Sequence, residues 1–229
     1  KMEANEYRFQ GNEGEEVPRS VQKLIVNPGV QVLPNKLCYN CERLREVTLP
    51  QGLIKIRQSA FGWCKSLLEI SICSTVEYIG ERAFQVCTRL AKVEFELPSS
   101  SPNQLKTIDN EAFRFCISLQ RIKIPSSMNT IGYSAFMNCK VLVEASLWAT
   151  SIKEIPSRGF MKCHSLQTVS LPNSLKRICD YAFYHCNWLV TVTIPLNSKP
   201  IKIGDKSFAG CGALSNLVLP QRSNAMEHS

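Results

Sequence analysis

One residue recurs with near-constant spacing along almost the whole chain. Cys41, Cys64, Cys87, Cys116, Cys139, Cys163, Cys186 and Cys211 are separated by 23, 23, 29, 23, 24, 23 and 25 residues. Other positions keep step with them. Eight residues before each cysteine stand Leu33, Ile56, Ile79, Ile108, Ile131, Ile155, Ile178 and Ile203. Three before stand Cys38, Phe61, Phe84, Phe113, Phe136, Phe160, Phe183 and Phe208, and three after stands a leucine in every unit, from Leu44 to Leu214. Eight after stand Leu49, Ile72, Phe95, Ile124, Leu147, Leu171, Ile194 and Leu219. A self-similar period in the twenties defines a solenoid, in which each unit buries its apolar wedge only against its neighbours.

Each unit reads physically. In Ile79-Gly-Glu-Arg-Ala-Phe84-Gln-Val-Cys87-Thr-Arg-Leu90, the inward residues Ala83, Phe84, Cys87 and Leu90 have the spacing of one face of a short helix. Val93 and Phe95 then alternate with Lys92 and Glu94, as in a half-buried strand. Proline ends that strand at Pro50, Pro125, Pro172, Pro195 and Pro220, because it cannot continue a hydrogen-bonded ladder. The expected fold is an α/β repeat solenoid of about eight 23–25-residue units. A parallel β-sheet forms one face and short helices the other, and the winding is right-handed by the crossover rule.

These residues resemble the BspA-like leucine-rich repeats, whose units read roughly I-G-x-x-A-F-x-x-C-x-x-L-x-x-I-x-I-P. Ile131-Gly-Tyr-Ser-Ala-Phe-Met-Asn-Cys139-Lys-Val-Leu142 follows that pattern closely. The resemblance covers about Val21 to Pro220, with departures at Cys38, Glu96, Ala145 and Trp148. It implies a protein-binding or adhesive role, on bacterial surfaces or in unicellular eukaryotes, and brings no catalytic residues with it.

The domain reading is a lead-in or cap over 1–20, a single solenoid over 21–220 and a polar tail over 221–229. Val21–Pro28 reads as the first strand of the array. Tyr7, Phe9 and Val17 are placed to cover the end of the core, with Glu13–Glu16 as a solvated loop. The 29-residue spacing between Cys87 and Cys116 holds six extra residues within Glu96–Gln104, a Pro/Ser-rich loop leaving the end of a strand. No apolar run reaches the roughly 20 residues of a membrane helix, and the start of the chain has no signal-peptide core. The net charge is +8; residues 1–20 hold three basic and five acidic side chains, so the body of the chain is the basic part. No nucleic-acid motif accompanies that charge, which disfavours a nucleic-acid partner.

Eleven cysteines raise the question of metal sites and disulfides. Only Cys38-x-x-Cys41 has ligand spacing, and a structural zinc site needs a second pair. The cysteine column is read instead as small apolar side chains with a weak donor, buried and reduced, with Cys73 the exposed exception. Free buried thiols favour an intracellular setting; the cell surface is the alternative that the resemblance implies. Nucleophile, base and orienting group do not come together in any recognised motif. Gly80, Gly132 and Gly204 read as turn residues, one per unit, and not as a phosphate cradle. No enzyme activity, metal or cofactor is expected.

The leading functional reading is a non-catalytic scaffold for another protein, whose identity and oligomeric consequences the residues do not specify. Its binding surface is the outward strand face, centred on Lys92, Glu94, Arg121, Lys123 and Glu144. An alternative patch is the row Trp63, Val86 and Phe115, each one residue before a column cysteine, together with Trp188. A cell-surface adhesin is the second reading. An anion or nucleic-acid binder is the third, acting through the basic edge of Lys106, Lys153, Lys176, Arg177 and Lys202.

Overall fold

The computed structural model describes residues 5–96, 103–194 and 200–218. The chain winds as a parallel β-solenoid of about seven turns. Each turn carries a longer strand after the leucine column and a two-residue strand ending on the isoleucine column. The longer strands Glu69–Ile72, Lys92–Phe95, Arg121–Lys123, Glu144–Ser146, Thr168–Ser170, Thr191–Thr193 and Asn216–Val218 form one parallel sheet in chain order. The short strands form a second line, from Val32–Leu33 to Thr130–Ile131 and then from Glu154–Ile155 to Lys202–Ile203. Between the two runs the columns converge into one continuous core.

At the front, Glu6–Phe9 pairs in parallel with Lys23–Val26, which pairs in turn with Glu46–Thr48. The array therefore begins one turn earlier than Val21, and Phe9 and Val17 are buried in its core. Glu15 is not simply solvated. Its carboxylate accepts the backbone N–H groups of Gln10, Gly11 and Asn12 and the Tyr7 hydroxyl, which folds the loop around it. Burial pushes its pKa up, but those hydrogen bonds outweigh burial and leave it below the ordinary value.

The expected helices are absent: the described residues contain strands and turns only. Two residues per unit, five and one before the cysteine, have left-handed backbones. Ser59 and Trp63, Arg82 and Val86, Glu111 and Phe115, Ser134 and Asn138 all have φ between 53° and 65°. Such pairs interrupt any α-helix. The N–H groups of Ser59, Phe61 and Trp63 bond across to Glu81, Ala83 and Gln85 of the next turn, at 2.7–2.8 Å. Those of Ala60, Gly62 and Cys64 bond back three residues. The segment is thus a chain of tight turns zipped to its neighbour, and it buries the same residues that a helix would have buried.

Three stacks fill the interior. Phe61, Phe84, Phe113, Phe136, Phe160, Phe183 and Phe208 lie ring over ring, with centroids 5.1–5.5 Å apart. The leucine column from Leu44 to Leu189 is fully buried beside them. In the third stack each column thiol from Cys64 to Cys211 donates to the carbonyl of the phenylalanine-column residue one turn back. Cys87 reaches Phe61 O at 3.1 Å, Cys116 reaches Phe84 O at 3.2 Å and Cys139 reaches Phe113 O at 3.3 Å. Cysteine suits this position because it combines small volume with a donor. All eleven cysteines are free thiols. Cys73 is buried rather than exposed, held against Pro50 O at 3.2 Å; Cys179 and the end-turn Cys211 are the more accessible ones.

The recurrent glycines also differ from expectation. Gly80, Gly132 and Gly204 lack the positive φ of turn glycines and are needed where two backbones nearly touch. A Cβ on Gly132 would lie 2.4 Å from the Asn110 nitrogen and 2.5 Å from the Asp109 carbonyl carbon. Gly132→Ala is expected to lower stability by about 1–3 kcal/mol through overpacking. Gly212→Ala, whose Cβ would meet nothing within 4 Å, should stay within about 0.5 kcal/mol. Urea denaturation of the two variants checks the contrast.

Candidate functional site

The strand face brings its five charged candidates together. Arg121 stands opposite Lys92 on one side and Glu144 on the other, and Lys123 stands opposite Ser146. Lys92, Glu94, Arg121, Lys123 and Glu144 are all exposed. Lys92 and Glu94 already form an ion pair at 2.7 Å, and the carboxylate holds the ammonium above its usual pKa. Lys92 and Glu94 are therefore partly neutralised, whereas Arg121 and Lys123 have no carboxylate within ion-pair distance among the described residues.

The insertion shapes this face. Lys92–Phe95 and Arg121–Lys123 are paired at a single position, Lys92 with Arg121, whereas Arg121–Lys123 pairs with Glu144–Ser146 through three. Beyond that one pair the strands are not held together, and a groove of about 540 Å³ opens there. Its floor is apolar (Val93, Phe95, Ile124 and Pro125), and Glu94, Glu96 and Lys123 stand around it. Trp148 forms one wall and is 67% exposed. Residues 97–102 of the insertion lie outside the described residues. Its ends are pinned, since the Asn103 side chain donates to Glu96 O at 3.1 Å and accepts from Leu105 N at 3.0 Å. A smaller hollow of about 260 Å³ adjoins the groove at Ser71 and Glu94. It lies where Glu46–Thr48 and Glu69–Ile72 fail to join into one sheet.

The alternative patch is less coherent. Trp63, Val86 and Phe115 do form a row on successive turns, all with left-handed backbones. Their N–H groups bond to the next turn at 2.7–2.9 Å. Trp63 is the most exposed of the three, and Val86 and Phe115 are half-buried. Phe115 is covered by the Arg114 guanidinium at 5.0 Å. Trp188 is well exposed but lies on the Cys186 turn, away from the row. The basic edge is interrupted too, because Glu154 sits opposite Arg177 in the short-strand line. Among the described residues no group of three or more His, Cys, Asp or Glu side chains is placed to hold a metal ion.

A stacked parallel array whose core is built from repeating Ile, Phe, Cys and Leu columns has the architecture of a leucine-rich-repeat protein. The chain belongs to the BspA type leucine rich repeat family, whose sequence model matches it in six copies over residues 31–151 and 98–215. A search of the curated proteins finds no match. Among solved structures, the T. pallidum leucine rich repeat protein TpLRR is 28% identical, with a TM-score of 0.67 over 92% of this chain and 84% of that one. A leucine rich cell surface protein from Faecalibacterium prausnitzii is 29% identical with a TM-score of 0.51. This chain aligns over 86% of its own length but spans only 59% of that protein. The pneumococcal vaccine antigen PcpA, 20% identical with a TM-score of 0.52, shares the fold.

Proposed function

We propose that this chain is a non-catalytic interaction module that binds another protein on its strand face, in the groove between Glu94, Lys123 and Trp148. The observation that carries this reading is the loss of strand pairing beside the insertion. It converts a flat solvated sheet into a concave site with an apolar floor, an aromatic wall and charges of both signs at the rim. Buried aromatic anchors supply most of the binding energy at such sites. Rim charges select the partner and speed its approach. Lys92, Arg121 and Glu144 continue the charged surface alongside the groove.

Affinity capture from the native source followed by mass spectrometry provides the partner. With it in hand, Trp148→Ala should weaken binding about tenfold or more. Arg121→Glu combined with Lys123→Glu should weaken it further at low salt, through lost charge complementarity. Neither variant should move the thermal midpoint appreciably, because all three side chains are exposed. If both bind normally while Trp63→Ala abolishes binding in a folded protein, the partner uses the turn flank and the strand-face reading is wrong.

A second reading, recognition at a cell surface, is favoured by the F. prausnitzii relative, described as a cell surface protein. It uses the same groove with an extracellular partner. Surface labelling of intact cells of the native source distinguishes the two settings.

A further inference from the structure

The turn segments that precede the column cysteines carry a further hollow, of different chemistry. It is about 330 Å³ in volume and lies across the turns of four successive units, over the residues five and two before the column cysteines. Arg158 lies at its centre. Its guanidinium sits 5.5 Å from the Tyr133 ring centre and 5.8 Å from that of Tyr181, and it donates to the Tyr133 hydroxyl. No carboxylate stands within ion-pair distance of Arg158 among the described residues. Arg114 enters from two turns before Arg158, where one terminal nitrogen is held by Glu111 at 3.0 Å. Tyr184 lines the far side.

Two donors at this hollow have no acceptor. Arg114 Nε and Ser134 Oγ are both closed off from solvent without a hydrogen-bond partner, and Ser134 is only 1% exposed. They are the only such buried side-chain atoms among the described residues, and both residues line the hollow. Buried donors in folded proteins are almost always satisfied, so a pair of orphans on one hollow calls for an acceptor from outside the chain. Two guanidiniums, a hydroxyl and tyrosine faces make up the donor set that holds an oxyanion.

We propose that the hollow between Arg114, Ser134 and Arg158 binds an oxyanion, a carboxylate or a phosphate monoester, presented by an acidic or phosphorylated peptide. Arg158 acts as the gate. It rests on Tyr133 and Tyr181 in the free protein and turns toward the anion on binding, which opens the way to the Arg114 and Ser134 donors. A polynucleotide fits less well, because Asp180 and Asp205 stand immediately before Tyr181 and Lys206 and would oppose an extended polyanion. The site is separate from the strand-face groove, so either can fail without the other.

Three short peptides of one sequence test it by fluorescence anisotropy, carrying phosphotyrosine, glutamate or unmodified tyrosine at one position. The phosphotyrosine or the glutamate peptide, or both, should bind saturably, and the better binder names the anion. Unmodified tyrosine should bind weakly or not at all. Arg158→Gln should weaken binding about tenfold, the worth of one charge-assisted hydrogen bond, and Arg158→Lys should recover only part of it, since the planar fork is lost. Ser134→Ala separates ligation from folding. It removes a buried unpartnered hydroxyl, so the thermal midpoint should hold or rise while affinity falls severalfold. The proposal is overturned if neither anionic peptide binds, or if binding survives both Arg158→Gln and Arg114→Gln. It is also overturned if a single-stranded oligonucleotide displaces the peptides at lower concentration than they bind, which would make the site a polyanion track.

Discussion

Alanine in place of Phe136 is expected to lower the unfolding free energy by about 3–5 kcal/mol, the range for emptying a large aromatic from a closed core. The ring lies between Phe113 at 5.5 Å and Phe160 at 5.3 Å and is fully buried. Neither neighbour can move into the space, because each is gripped by the next ring along. Loss of stacking on both faces adds to loss of burial. Phe208→Ala should cost clearly less. That ring stacks on Phe183 alone, at 5.3 Å, and is half-buried on the last described turn. In an array coupled mainly between neighbours, a central defect also cuts the path along which folding spreads, whereas a terminal one only frays. Urea denaturation with far-ultraviolet dichroism measures both losses; equal, small losses at the two sites would refute a shared, mutually supporting core.

That core was legible because the constraint producing it is strict. A residue facing inward at the same height on every turn meets its own counterpart above and below, so the Phe, Cys, Leu and Ile columns repeat almost without drift. The local backbone was not legible. A run of three-residue turns places Ala83, Phe84, Cys87 and Leu90 on one side much as a helix does, so the inward pattern fits both. The difference lies in the left-handed residues, and these are not marked by residue type: Asn40 and Asn138 suit that conformation, but Val86, Phe115 and Arg158 do not. Each such residue costs about 1–2 kcal/mol in a free chain. Here each occurs where its N–H bonds to the adjacent turn, so the neighbour enforces what the side chain resists.

The working surface divides in the same way. Alternation in Lys92–Phe95 and Arg121–Lys123 was enough to put Lys92, Glu94, Arg121 and Lys123 on one outward face. The groove was not foreseeable from alternation, since it depends on which strand pairs are lost beside the insertion. The hollow around Arg158 was further out of reach. Its members come from four units, and no single residue type fills the positions five or two before the cysteine (Glu111, Ser134, Arg158, Tyr181; Arg114, Met137, Met161, Tyr184), so no column announces them. A comparison of the positions five and two before each cysteine would have shown Ser134, Arg158 and Tyr181 beside Arg114 and Tyr184.

The thiol stack has a consequence at high pH. A thiol in an unfolded chain ionises near pH 8.5. Burial pushes Cys87 and Cys163 up to about 12. The same cause, burial first, holds Cys64, Cys116, Cys139 and Cys186 well above the ordinary value. The folded protein therefore keeps these six protons over a pH range in which the unfolded chain releases them. The unfolded state then binds fewer protons, and stability falls as pH rises. The stabilisation is fully present below about pH 8.5 and is lost as pH rises through the raised folded-state values, about 12 for Cys87 and Cys163. Each sealed thiol acts in the same sense, so together they make the fall steeper than any one of them would. The expected result is an alkaline unfolding transition in which thiolate absorbance rises together with loss of the far-ultraviolet strand signal. Replacing Cys116 and Cys139 by alanine should make the pH dependence measurably shallower, because two of the sealed thiols are removed. It should do so even though neutral stability falls with the two lost hydrogen bonds to Phe84 and Phe113. If thiolates instead appear gradually from about pH 8.5 in a protein that remains folded, the thiols are not sealed and the stack is looser than the ring and sulfur geometry requires.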